Sequence, residues 1–366
     1  MAASRIVMHV DFDYFFAQCE ELRVPAIKNQ PVIVCVFSGR TDDSGVVSTA
    51  NYVARKYGVK SGIPIRAAKS KLAGVQDAQL LPLDMPYYKQ VSERAMEIIK
   101  NHADIFEHTG IDECYLDVHE KTAGDFDSAR QLAGQIKNEL ISHLQLSCSI
   151  GVAPNKMLAK VASDYVKPDG LTVVKPDESA SFIGALEVGR IPGIGPKTRN
   201  RLAELGVTTA RQLAGFDLFR LMDEFGKKTG AYIHNAAKGL DDEPVAESAG
   251  ECKQLMHIVT LKKDATAASE VHGDLGEICR HVHELAERKG LAFRTVSVIL
   301  ILKDLENVTR SKTLKTHTQS YEVLHASARS ILDEIPINVG VRRLGVRVAD
   351  FQDARGQGTL IDFMQQ

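Results

Sequence analysis

The sequence predicts a multidomain α+β protein, and three observations carry that reading. Residues 5–152 run strand, helical crossover, two strands, helix, strand, the order of a split βαβ or ferredoxin-like layout. Residues 248–350 run through the same order again, strand, helix, strand, strand, helix, strand. Between them, Pro192-Gly193-Ile194-Gly195-Pro196 opens onto a Lys/Arg-rich helix, the signature of a helix-hairpin-helix. Its glycines permit a tight turn whose bare N–H groups can accept a phosphate at a helix N-terminus.

Each element has its own local cause. Residues 5–10 form an apolar strand, followed by a helix from Asp13 to Leu22 that Pro25 ends. Pro31 to Phe37 is a continuously apolar strand, and Ser38 to Gly45 a polar, turn-rich loop. Ser48 or Thr49 is placed to cap a helix that Gly58 closes. Thr49, Tyr52 and Arg55 then recur every three residues on one side of it, which taken alone reads equally as a solvated face. Pro86 to Lys100 is amphipathic, with Val91, Ala95, Ile98 and Ile99 inward. A helix follows at Phe126 to Leu144, then a strand at Leu146 to Val152 and a helix with Pro154 in its first turn. Lys167-Pro168-Asp169-Gly170 turns the chain out of that helix, and Gly239 to Gly250, with four acids, is a linker.

Composition sets the outer limits. A chain of 366 residues holds about two to four domains, and 44% apolar with 25% charged content is that of an ordinary globular protein. The net charge of −2 gives no hint of a nucleic-acid partner, so any basic surface is local. Cys19, Cys35, Cys114, Cys148, Cys252 and Cys279 form no Cys-x-x-Cys pair and read as thiols in a reducing compartment. The longest apolar runs, such as Val296 to Leu302, are strand-length, and the N-terminus turns acidic within a dozen residues. The expectation is a soluble, cytoplasmic protein with no membrane partner.

The chemistry gathers at Thr109-Gly110-Ile111-Asp112-Glu113-Cys114-Tyr115-Leu116-Asp117-Val118. Cys114, Leu116 and Val118 alternate with Tyr115 and Asp117, so the period is two. An Asp-Glu pair after a glycine is usually a solvated turn. Upstream, however, Val7-Met8-His9-Val10-Asp11 is a second apolar strand ending in an acid. If the strands pair, Asp11, Asp112 and Glu113 converge as hard oxygen ligands suited to Mg²⁺. Two such ions roughly 3.5–4 Å apart hold the attacking and leaving oxygens of a phosphoryl transfer.

Three stretches occur in order: Val10-Asp11-Phe12-Asp13-Tyr14-Phe15-Phe16-Ala17, then Thr49-Ala50-Asn51-Tyr52-Val53-Ala54-Arg55, then Ile111-Asp112-Glu113-Cys114-Tyr115-Leu116-Asp117. On these the chain resembles the Y-family translesion DNA polymerases of the DNA polymerase IV type, to about residue 350. The resemblance implies a right-hand polymerase with a ferredoxin-like palm (1–19 and 83–174) and small fingers (20–82). It also implies a helix-hairpin-helix thumb (175–241), a linker (242–247), a βαββαβ little finger (248–350) and a tail (351–366). It implies template-directed, proofreading-free DNA synthesis on damaged templates, with a primer 3′-OH attacking the α-phosphate of a dNTP.

By the same resemblance Asp11 and Asp112 bridge two Mg²⁺ ions, the Phe12 carbonyl helps hold one, and Glu113 serves the ion at the primer. The backbone at Tyr14 and Phe15 lies along the triphosphate, and Phe16 is the steric gate against a 2′-hydroxyl. Thr49, Tyr52, Arg55 and Lys167 bind the phosphates, while Lys160 and Asp164 fit the pattern without a catalytic part. Gly45, Val46, Ser48 and Gly62 roof the nascent base pair. Gly193, Ile194 and Gly195 contact DNA phosphate, as do Arg310, Lys312, Lys315, Arg342, Arg343 and Arg347. Gln357, Leu360, Phe363 and Met364 look like a peptide that docks on a sliding clamp, with Met364 where an aromatic is usual. Primer-template DNA, dNTP and the clamp are the implied partners of a monomer. Two other classes share parts of the pattern: a nucleotidyl cyclase, with the same layout and paired acids, and a non-catalytic DNA-binding scaffold. Neither accounts for the intact carboxylates together with the glycine hairpin and the basic last domain.

Overall fold

The computed structural model describes residues 5–247 and 252–354. By their contacts these form two compact units, residues up to 36 with 46–247, and 37–45 with the residues from 252 onward.

In the first unit, β1 (Val7–Phe12) runs into α1 (Phe15–Arg23). The helix starts two residues later than the sequence predicts, because Tyr14 takes a left-handed conformation (φ 39°) and breaks the chain direction there. Next come β2 (Val32–Phe37), β3 (Gly45–Ala50), α2 (Tyr52–Lys56), α3 (Ile65–Lys71) and β4 (Gln79–Pro82). The three strands make a small sheet in the order β3-β2-β4, with β2 and β4 parallel. One expectation is corrected here. Val46 to Thr49 is a β-branched and hydroxyl run that extends as a strand, so neither Ser48 nor Thr49 caps a helix. The cap is Asn51, whose Oδ1 accepts from Ala54 N at 2.9 Å and from Val32 N at 3.1 Å. Its amide nitrogen donates to Glu21 Oε1 and Gln30 O, both at 2.8 Å. One buried side chain thereby joins α1, β2 and α2.

The larger sheet is built from β1, β5 (Ile105–His108), β6 (Glu113–Asp117), β7 (Cys148–Ala153) and β8 (Leu171–Val173), in the order β5-β6-β1-β7-β8. β1 lies between the acidic strand and β7, antiparallel to both, as the split βαβ order requires. Met8, Val10, Phe12, Cys114, Leu116, Ile150 and Val152 point to one face. There they pack on α4 (Met85–Lys100) and α5 (Phe126–Leu144) through Tyr88, Val91, Ala95, Ala129 and Ile136. Val7, Tyr115 and Ala153 point to the other face, onto α6 (Lys156–Ser163). Pro154 does not enter α6; it precedes the cap Asn155, whose Oδ1 accepts from Leu158 N at 2.9 Å. Gly151 allows this helix to lie on the sheet backbone to backbone. A Cβ on Gly151 would stand 2.0 Å from Ala159 O and 2.4 Å from Ser163 N.

A helical segment follows: α7 (Ser179–Gly184), α8 (Pro196–Glu204), α9 (Ala210–Ala214), α10 (Leu218–Phe225) and α11 (Lys227–Ala237). The residues beyond it do not hang loose. Asn155 Nδ2 donates to Gly239 O, Asp241 accepts from Met157 N, and Glu107 accepts from Ala246 N, each at 2.9 Å. Lys156 reaches Glu107 and Glu243 at 2.8 Å each and lies over the Tyr115 ring. The predicted linker is thus strapped to the larger sheet as far as Ala246.

The second unit contains β9 (Gln254–Ala265), α12 (His272–Arg288), β10 (Leu291–Leu302), β11 (Asn307–Thr318), α13 (Tyr321–Asp333) and β12 (Val341–Asp353). The sheet order is β11-β10-β12-β9, all antiparallel, with Val296, Val298, Leu300, Leu344, Val346 and Val348 facing α12 and α13. Cys19, Cys35, Cys114, Cys148 and Cys279 are buried; Cys252 is half-exposed. No helix among the described residues is long and apolar enough to cross a membrane.

Candidate active site

Pairing of β1 with β6 sets Asp11 directly opposite Glu113, and Phe12 N donates to Asp112 O at 2.9 Å. The hairpin that presents the two acids is closed by Gly110 N on Glu113 O at 3.1 Å and by Ser92 Oγ on Ile111 O at 2.6 Å. Gly110 sits close under Glu113: a Cβ there would stand 3.0 Å from Glu113 Cγ and press on the carboxylate side chain. These contacts fix where the carboxylates stand.

Glu113 Oε2 accepts from Lys160 Nζ at 2.5 Å and lies 3.3 Å from His9 Nε2. His9 is fully buried; its Nδ1 meets Ser163 Oγ at 2.7 Å, while Nε2 has no hydrogen-bond partner of proper geometry. His9 and Lys160 together hold the Glu113 carboxyl down to about 2, against burial. Asp11 Oδ1 accepts from Lys167 Nζ at 2.5 Å, and Lys167 also reaches Asp164 at 3.0 Å. Burial pushes the Asp11 carboxyl up against the pull of Lys167. Burial, and then the neighbouring Glu113, push Asp112 up.

Among the described residues, one cluster has metal-ligating geometry: His9, Asp11 and Glu113, with one ligand atom from each within 4.8 Å of the others. Two of the expected acids, Asp11 and Glu113, fall in it with His9 as a third donor, and the Asp112 carboxylate is not among these three. The donors fit a divalent cation, with hard oxygens from Asp11 and Glu113 and an unpartnered buried nitrogen aimed at them. His9 is two residues before Asp11 on the same strand face. The period of two was the signal that could have found it.

Beside the acids the aromatic run divides its work. Phe15 is buried against Phe12, with ring centroids 5.3 Å apart. Phe16 is half-buried and stacks on the Tyr88 ring at 4.8 Å and 16°. Tyr14 turns its side chain toward Glu21 and sets its ring edge-on to Tyr52 at 5.4 Å. At Phe15, whose side chain is buried, the backbone alone remains for a ligand. Thr49 lies on β3 and does not share a helix face with Tyr52 and Arg55. The Arg55 guanidinium lies 4.6 Å over the Tyr52 ring and its Nε donates to Ala50 O at 2.8 Å.

The turn that carries Lys167 is held from below by Asp13, which sequence reasoning passed over. Its carboxylate accepts from Ser149 Oγ and Asp169 N at 2.8 Å each, and from Ser147 Oγ at 3.2 Å. Lys137 Nζ holds the same turn from α5, 2.7 Å from Asp169 Oδ1.

The expected DNA contacts are placed unevenly. Gly193 (φ +84°) and Gly195 are exposed, but the Ile194 side chain is buried, leaving only its backbone to a ligand. The basic residues of the second unit do not form one patch. Arg343 and Arg347 share the face away from the helices, with Ser297 beside them. Arg310 and Lys312 pair with Val298 and Val296 and so lie on the helix side of an edge strand. Arg342 leans on Asp264 at 3.5 Å. Strand alternation separates residues that neighbour each other in sequence. Gln357, Leu360, Phe363 and Met364 lie outside the described residues.

Comparison with known proteins agrees along the whole chain. Residues 10–164 match the model of the impB/mucB/samB family, residues 252–360 that family's C-terminal domain, and residues 189–241 the DNA polymerase-iota thumb domain. The chain is 46% identical to DNA polymerase IV of Nitrosopumilus maritimus (strain SCM1), covering 98% of this chain and 99% of that one. It superposes with a TM-score of 0.87 and 36% identity on the Y-family DNA polymerase chimera Dbh-Dpo4(243-245)-Dbh, covering 94% of this chain and 98% of the chimera. The insertion ternary complex of Dbh DNA polymerase matches at TM-score 0.67, also 36% identical, over 94% of this chain and 98% of that one. By these matches over nearly its whole length, the chain belongs to the Y family of translesion DNA polymerases, of the DNA polymerase IV type.

Proposed function

We propose that lesion-bypass DNA synthesis in this chain runs at the β1–β6 junction, with Asp11, Asp112 and Glu113 as ligands for two Mg²⁺ ions. The observation that carries it is the register that sets Asp11 opposite Glu113, with Asp112 beside them on a closed hairpin. Mg²⁺, when bound, supplies Lewis-acid stabilisation of the phosphoryl oxygens and lowers the pKa of the primer 3′-OH. Asp11, Asp112 and Glu113 would hold the ions through their carboxylates, with the Phe12 carbonyl as a further oxygen donor. Lys167 would meet the triphosphate with Thr49, Tyr52, Arg55 and the backbone at Tyr14 and Phe15. A guanidinium and an ammonium there offset charge growing on pyrophosphate. Phe16, backed by Tyr88, would exclude a 2′-hydroxyl.

The DNA partner is a primer-template, gripped at its phosphates by the Gly193–Gly195 turn and the Arg343–Arg347 face. The ternary complex of Dbh supports DNA and nucleotide as partners. A monomer in the cytoplasm, helped by a sliding clamp on the C-terminal peptide, completes the reading. The test is Asp112→Ala in single-turnover insertion, with primer-template binding measured separately. Insertion falls by at least about a hundredfold while binding holds; extension near the parent rate places the chemistry elsewhere.

A further inference from the structure

Two ammonium groups take up the acid oxygens of the site, one each. Lys160 Nζ lies 2.5 Å from Glu113 Oε2, and Lys167 Nζ lies 2.5 Å from Asp11 Oδ1. They come from different elements, α6 and the turn after it, yet end on the two carboxylates that face each other across β1 and β6. Neither is sealed in: the side chains keep 29% and 22% of their exposure. Lys156 on the same helix makes the contrast. It is 8% exposed, held by two glutamates and a tyrosine ring, and has nowhere to go.

Carboxylates crowded at one strand end repel one another, and burial makes each charge more costly. A nearby ammonium cancels that cost, but a divalent ion carries twice the charge and binds hard oxygens more strongly. From this we infer that Lys160 and Lys167 are exchangeable internal counter-cations. They hold Glu113 and Asp11 while no divalent ion is bound, and release those oxygens when ions arrive. Release of Lys167 also frees its ammonium for the phosphates of an incoming nucleotide, so ion and nucleotide entry support each other. The inference rests on reading Asp11, Asp112 and Glu113 as the metal ligands.

The test uses the full chain without DNA and Mn²⁺ as the probe, with free Mn²⁺ read by electron paramagnetic resonance. Lys160→Met and Lys167→Met each tighten Mn²⁺ binding, by about five- to tenfold for the removal of one competing charge. Lys167→Met in addition weakens dNTP binding to the protein–DNA complex, and that opposite sign is not what a merely structural lysine produces. A second measurement needs no variant. Acylation of the wild-type lysines, mapped by mass spectrometry, rises at Lys160 and Lys167 when Mg²⁺ is added. Unchanged Mn²⁺ affinity in both variants, or unchanged acylation, overturns the inference while the metal site stands. Wild-type Mn²⁺ binding that survives Asp112→Ala and Asp11→Ala overturns the metal reading and the inference together.

Discussion

Phe16 lies flat on Tyr88, ring centroids 4.8 Å apart and planes 16° from parallel, and the Tyr88 hydroxyl is anchored on Glu20 Oε1 at 2.7 Å. A plate with a backing cannot step aside for a sugar hydroxyl. Phe16→Ala therefore raises the ratio of ribonucleotide to deoxynucleotide insertion by about a hundredfold, with little change for dNTP. Phe16→Tyr keeps the plate and the discrimination. Steady-state insertion with matched dNTP and rNTP pairs measures both, and an unmoved ratio in Phe16→Ala removes the gate assignment.

Asp13 is the second point of leverage. Replacing it with Ala strands the buried Ser149 hydroxyl and takes one acceptor from Ser147 Oγ, which keeps Gln18 Oε1, and from the exposed Asp169 N–H, at a cost of about 2 kcal/mol in denaturant unfolding. Because that turn carries Lys167, the KM for dNTP rises while primer-template affinity stays. In a Lys167→Ala background the KM effect of Asp13→Ala disappears. Additive KM effects show that Asp13 acts on nucleotide binding by another route.

For DNA, the split of the arginines makes a directional statement. Arg347→Glu, on the sheet face opposite the helices, weakens primer-template binding by a similar factor on all sequences. It lowers the slope of log affinity against log salt by about one. Arg310→Glu, on the helix side of an edge strand, has the smaller effect. Fluorescence anisotropy over a salt series reads both. A larger loss from Arg310→Glu turns the binding face over.

The tail yields the last prediction. Deleting residues 357–366 leaves basal primer extension unchanged and removes stimulation by a loaded sliding clamp. Phe363→Ala alone removes most of it. Equal stimulation of the truncated and full chains moves any clamp contact into the folded domains.

The strand order of the larger sheet was legible because one apolar strand ends in an acid and another starts at an acid pair, and a split βαβ order sets the two side by side and antiparallel. The helix at Phe126–Leu144 was legible to the residue, because Asp125 caps it and the apolar stripe runs its length. Thr49 was not. A hydroxyl before a helix looks like a cap, and only the pairing of β3 with β2 reveals that the β-branched run outcompetes it. Lys160 needed tertiary knowledge of another kind: its reach to Glu113 depends on α6 lying on Gly151, a contact between residues far apart in sequence. The basic residues of the second unit were legible as a group but not by face, for a simpler reason. Neighbours in sequence were grouped, whereas a strand sends them to opposite sides.

The burial of five cysteines has a practical consequence. Burial pushes the Cys19, Cys148 and Cys279 thiols up to about 12 and Cys35 to about 11, so at neutral pH they are neutral and walled off from reagents. Burial raises the Cys114 thiol well above its ordinary value too. Cys252, half-exposed and next to the first strand of the C-terminal unit, is the thiol a maleimide dye meets. The native chain thus carries its own single attachment point for a fluorophore, and single-molecule work on the C-terminal unit can begin without engineering a cysteine-free background.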